Sequence, residues 1–123
     1  MSVRAHHAKD DAVKNLSELE NSLALQIRAL KLPVPEREYR FCERRWRFDF
    51  AFIANSTAVE VEGGSWVYGA HQRPQKFRKD CEKYNEAALL GWLVLRVTGD
   101  MIEDGTAIEL LKRALTSEGG NTV

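Results

Sequence analysis

Three carboxylates stand in two short alternating segments of this chain. In Trp46–Ile53 (WRFDFAFI), the aromatics Trp46, Phe48, Phe50 and Phe52 fall on one face, and Arg47, Asp49, Ala51 and Ile53 on the other. In Ala58–Glu62 (AVEVE), Glu60 and Glu62 alternate with Val59 and Val61. Polar Asn55-Ser56-Thr57 joins the two runs, so together they read as a β-hairpin. A turn over residues 54–57 sets Ile53 against Ala58, Ala51 against Glu60 and Asp49 against Glu62. Opposed residues share a face, so all three acids project from one side, with Glu60 diagonal to Asp49. Carboxylates crowded in strands this apolar repel by about 1 kcal/mol per close pair unless neutralised. A hard divalent cation is a suitable neutraliser, and magnesium takes one or two carboxylates plus water. The competing reading makes this the solvent face, with Arg45 and Arg47 pairing the acids. A slip of register would separate Asp49 from Glu60.

Glu20 is a candidate fourth member. It borders the apolar stripe of a helix in which Leu16, Leu19, Leu23, Ile27 and Leu30 recur at steps of three and four. A second reading stands beside the first. Ser17-x-x-Glu20 has the form of a capping box, in which Glu20 reaches back to the Ser17 amide. Cys42 and Cys81 form no CxxC pair, which excludes a zinc ribbon or finger, and both read as buried packing residues. Two cysteines build no disulfide scaffold, and the expected compartment is a reducing cytoplasm.

These residues need elements to position them. The first helix spans Asn15 to Lys31 and stops at Pro33 and Pro35. Tyr39–Cys42 is a short strand, the hairpin follows, and Gly63-Gly64 opens a loop containing Trp66, Tyr68, Gly69 and His71. Gln75–Leu90 is helical, with Phe77, Cys81, Tyr84 and Ala88, and Ala87 as an alternative, facing inward; Gly91 ends it. Trp92–Val97 is a continuous apolar strand of the kind buried on both faces. A last helix runs from about Asp104 to Leu115. The order αβββαβα gives an α/β (α+β) fold with a mixed four-stranded sheet flanked by helices. Residues 15–116 form one domain between flexible termini at 1–14 and 117–123.

The 123 residues, 44% hydrophobic and 29% charged, have the composition of an ordinary globular chain; no apolar run approaches the length of a membrane span, and a secretory leader is not expected. Net charge is zero, but it is unevenly distributed. Residues 36–47 hold five Arg against three Glu, and 71–83 hold five Lys/Arg against two acids. Between them, 48–70 carries only Asp49, Glu60 and Glu62. A polyanion needs local positive potential rather than a positive sum. Arg44, Arg45, Arg73, Lys76 and Lys79 are the candidate phosphate contacts. Trp66 and Tyr68 are placed either to stack on an exposed base or to fold back as core.

RFDFAF (47–52), AVEVEGG (58–64), His71 and KDCEKYNEAALLGWLVLRVT (79–98), behind an LExxLxxxIRxLxL-like helix at 19–32, together resemble the PD-(D/E)XK (restriction-endonuclease-like) nuclease superfamily. The similarity is greatest to small phage-type and very-short-patch-repair-like endonucleases, and it spans roughly Ser17 to Ile108. The resemblance implies an αβββαβ core and Mg2+-dependent hydrolysis of DNA phosphodiester bonds, with Mn2+ able to substitute. It implies Asp49, Glu60 and Glu20 as metal ligands. It also implies a lysine two residues after Glu60, where this chain has Glu62. Lys83 and His71 are the candidates to replace that lysine, and Glu62 itself can orient water or bind a second ion. The expected substrate is double-stranded, branched or nicked DNA, such as a Holliday junction, in phage DNA processing inside the host cytoplasm. Paired cuts at a junction would need a homodimer. The alternatives are a catalytically inactive nucleic-acid-binding module and an interaction module without nucleic acid.

Overall fold

The computed structural model describes residues 15–63 and 74–120. Helix α1 (Leu16–Ala29) is followed by strands β1 (Glu36–Arg40), β2 (Arg47–Phe52) and β3 (Thr57–Glu62), with a 3-10 turn over Ile53–Asn55 inside the hairpin. Helix α2 (Pro74–Leu89), strand β4 (Leu93–Thr98), the short helix α3 (Gly99–Glu103) and helix α4 (Thr106–Gly120) complete the order. The strands form one mixed sheet, β1-β2-β3-β4: the first three pair antiparallel, and β4 joins β3 in parallel. The α/β class and the helix-flanked mixed sheet are as the sequence leads one to expect.

Two cores sandwich the sheet. Leu19, Leu23 and Ile27 of α1 pack with Phe50, Phe52, Val59, Val61 and Val97, and with Ile102, Ile108 and Leu111 of α3 and α4. On the opposite side Ala87 of α2 meets Phe48, Ala51 and Ala58, with Tyr39, Phe41 and Trp92 around them. Phe48 stacks on Phe41 at 4.1 Å between ring centroids and meets the edge of Trp92 at 5.1 Å.

The cap of α1 is Asn15, whose side chain accepts from the Glu18 N–H while Glu18 reaches back to the Asn15 N–H. The Ser17–Glu20 capping box is therefore incorrect, and Glu20 has no capping role. The hairpin register also differs from the sequence reading. The 3-10 turn begins at Ile53, and Ser56 takes the left-handed conformation, so the connection closes one residue earlier. Phe52 pairs with Thr57 and Ala51 with Ala58. Continuing that register sets Asp49 beside Glu60 rather than Glu62.

The helix phase of α2 is shifted as well. Lys83, Tyr84 and Ala87 turn toward the sheet, while Phe77, Cys81 and Ala88 are exposed. Cys81 is thus no packing residue, and Cys42 is half-buried. A polar partner under the helix turned the face, and hydrophobicity alone does not reveal such a partner. Strand β4 is a sheet edge, with Leu93 half exposed and Val97 its one fully buried residue, so it is not covered on both faces. The last helix starts just after Gly105 (φ 89°) and its backbone runs on to Gly120, beyond the last apolar position at Leu115, while the short α3 before it is an element that the sequence reading lacks. Among the described residues no helix is long and apolar enough to cross a membrane.

Candidate metal centre

The local backbone at Asp49 explains the site. Residues two apart on a regular strand share a face, yet Phe50 packs under α1 and Phe48 under α2. The reversal falls on Asp49, so the four aromatics of this segment do not form a single stripe. The neighbouring strand reverses at the same level. Arg37 lies over the Phe50 ring, Tyr39 packs on the Phe48 side, and between them Glu38 has φ 52°. The pairs Arg37–Phe50 and Tyr39–Phe48 bracket the break.

Toward β3, side chains take over from the backbone ladder. The Asp49 N–H donates to Glu60 Oε2 at 2.9 Å, and the Val61 N–H donates to Asp49 Oδ2 at 2.7 Å. Two carboxylates thereby satisfy strand amides that would otherwise be unpaired near the core, an expensive omission.

The break gathers acids from three elements. Oxygen atoms of Glu20 (α1), Glu38 (β1) and Asp49 (β2) lie within 4.8 Å of one another. Glu20 is partly shielded, and Arg37 Nη2 approaches its Oε1 at 3.4 Å. Glu60, buried, turns its Oε1 to Lys83 Nζ at 2.6 Å and to the Tyr84 hydroxyl at 3.0 Å. Four carboxylates thus face two cations, Arg37 and Lys83.

Burial, followed by the charges of Glu60, Glu20 and Glu38, pushes the Asp49 carboxyl up from 3.8 to about 7, against the lowering effect of the Val61 N–H. The magnitudes explain the direction. Burial comes first, and the neighbouring charges, each repelling by on the order of 3 kcal/mol near 4.8 Å at an effective dielectric of about 20, add to it, so that together they exceed the about 1.5–3 kcal/mol that a hydrogen bond to a charged group returns. Glu20 is raised for the same reasons, burial first and Glu38 next. Burial also raises the Tyr84 hydroxyl, with Glu60 adding to it, so this group remains a proton donor.

Of the residues singled out by sequence, Asp49, Glu20, Glu60 and Lys83 come together. Glu62 does not join them: it pairs with Arg96 at 2.9 Å, and the Arg96 guanidinium lies over the Tyr84 ring. Arg45 and Arg47 are exposed, and the cations closest to the acids are Arg37, Lys83 and Arg96. Arg44 covers the Trp46 ring at 4.1 Å and shares a surface hollow with Glu86 and Leu90, near the C-terminal end of α2. Lys76 and Lys79 are in the first turns of α2, on the order of 10–20 Å away along its axis. Among the described residues, Arg44 and the Lys76/Lys79 pair therefore stand toward opposite ends of α2. Trp66, Tyr68, His71 and Arg73 lie outside the described residues.

Glu38 and Arg37 were not foreseen. The sequence reading puts their strand at Tyr39–Cys42, whereas it spans Glu36–Arg40, and Glu38 has the positive φ at the break that brings it to Asp49. Compared with protein-family models, with curated proteins and with solved structures, the chain matches none.

Proposed function

We propose that this chain is a divalent-cation-dependent endonuclease of the PD-(D/E)XK kind, hydrolysing DNA phosphodiester bonds. The observation that carries the reading is the convergence of Glu20, Glu38 and Asp49 within 4.8 Å at a break in the sheet, with Lys83 tied to the adjoining Glu60. The element order, with an antiparallel β1-β2-β3 and a parallel β4 after a helix, supports the αβββαβ core implied by the resemblance.

The donor set fits a magnesium ion. It offers only carboxylate oxygens, as a hard cation requires, and its excess negative charge calls for one. Both oxygens of Glu60 are engaged by protein donors, so Glu20, Glu38 and Asp49 are the ligands in this reading. When bound, the ion supplies Lewis acidity toward water and the scissile phosphate. The remaining work falls to side chains. Lys83 stands where positive charge can stabilise the phosphate, replacing from a helix the lysine absent at Glu62. Glu60 and Tyr84 hold Lys83 in place, and Arg37 orients Glu20.

The test is incubation of the protein with supercoiled plasmid, linear duplex and a four-way junction, under Mg2+, Mn2+ or EDTA. Metal-dependent cleavage, lost in Lys83→Gln, supports the reading, and the favoured substrate defines its biology. Salt-sensitive DNA binding without cleavage under any metal would instead leave a binding module, disabled by Glu62.

A further inference from the structure

Arg37 has two sides. One approaches Glu20 of the acidic cluster, and the other opens on a cleft of about 340 Å³ between α1, the turn after it and the β1–β2 surface. Half-buried Ala24, Leu32 and Pro35 give it apolar walls, fully buried Phe50 lies beneath Arg37, and Val34 forms a lip that is 93% exposed. Arg28, Lys31 and Arg37 line it as well, and among the described residues no acid does. The Arg37 guanidinium lies 4.5 Å over the Phe50 ring and keeps 41% of its side chain exposed. A guanidinium backed by an aromatic ring presents a flat cationic surface on which a planar group stacks.

An occupant must therefore be planar and largely apolar in body, anionic at its edge, and small. The volume is at the low end of the ~300–1,000 Å³ usual for small-ligand pockets, which admits one nucleoside-sized group and excludes a duplex. From this complementarity, and resting on the nuclease reading above, we infer that the cleft receives one unpaired nucleotide of the DNA substrate. Its base lies against Arg37 and Leu32, and its phosphate faces Arg28 and Lys31. Because Arg37 also touches Glu20, a nucleotide in the cleft is next to the residues that hold the cation. The chain thereby selects DNA with a base already out of the stack, since a paired base must first be unstacked.

The experiment compares two fluorescent duplexes of equal length and phosphate count, under calcium, by anisotropy. One is fully paired, and the other carries a base opposite an abasic site. Wild type binds the second at least about fivefold more tightly, the scale of one base stacking on a protein surface. In Val34→Asp, whose exposed position leaves the fold intact, and in Arg28→Gln, the ratio of the two affinities falls toward one. Equal affinities in wild type, or a preference that survives both substitutions, overturn the cleft assignment alone if the plasmid is still nicked. Failure to bind either duplex overturns the nuclease reading and the cleft with it.

Discussion

The Asp49 carboxylate accepts a hydrogen bond from the Val61 amide and still titrates near 7, because burial and three neighbouring acids outweigh that bond. Its folded value lies above its unfolded one, so the folded state binds the extra proton between the two. The contribution of this group to stability is greatest below about 4, is lost as pH rises toward 7, and is flat above. Metal-free wild type is therefore expected to lose thermal stability over this interval. Asp49→Asn keeps the acceptor for Val61 and removes the charge, so it flattens this part of the profile and melts higher than wild type at pH 8. Thermal melts in EDTA across pH 4–8 check both outcomes. Proton and cation compete for the same oxygens, so Mn2+ affinity is expected to fall by up to about tenfold per pH unit below 7. Electron paramagnetic resonance titration reads this directly. Lys83 and Glu60 form a separate couple, with side chains only 15% and 9% exposed. Lys83→Met leaves Glu60 buried without its counter-charge and is expected to cost about 2–4 kcal/mol. Adding Glu60→Gln, which retains polar atoms for the Asp49 amide and Tyr84, recovers most of that cost. Denaturant unfolding of the two variants measures it.

At the scale of elements, the sequence and the structure agree wherever one hydrophobic period governs the contact. Leu19, Leu23 and Ile27 predict the buried stripe of α1 because each lands on the same core. Gly91 predicts the end of α2 because its φ of 90° is what the helix stop requires, and the Trp92 amide closes back on the Ala87 carbonyl. Agreement ends where side-chain polarity sets the geometry. The sidedness of β2 reverses at Asp49 because carboxylates replace ladder bonds, which no alternation of Phe and Ala encodes. The α2 face turns to Lys83 because Glu60 lies beneath it. Glu38 was missed for the same reason, its backbone conformation being imposed by the paired break. Local signals that do govern single ends give calibrated tests. Asn15→Ala removes a two-way cap and is expected to cost about 1 kcal/mol. Gly91→Ala meets no atom within 4 Å, so its expected cost of about 1 kcal/mol is backbone strain alone. Both are measured by chemical denaturation.

For the whole molecule, a net charge of zero supplies little long-range attraction for a polyanion, so short-range contacts have to carry any DNA binding. The paired core layers hold the sheet rigid on both sides of the break, so the acids are presented by strands and a helix rather than by a loop. On the proposed reading, a single such site would cut one strand, and nicking is the activity to expect of one chain. In the proposed reading, Asp49 and its neighbours hold the cation on which such cutting depends. Conversion of supercoiled plasmid to open circle under Mg2+ at pH 8, by wild type and by Asp49→Asn, tests it most directly. Nicking by wild type that EDTA abolishes is expected, with a rate at least about 100-fold lower in the variant, although the variant is the more stable protein. Nicking that persists at the wild-type rate in Asp49→Asn would contradict it.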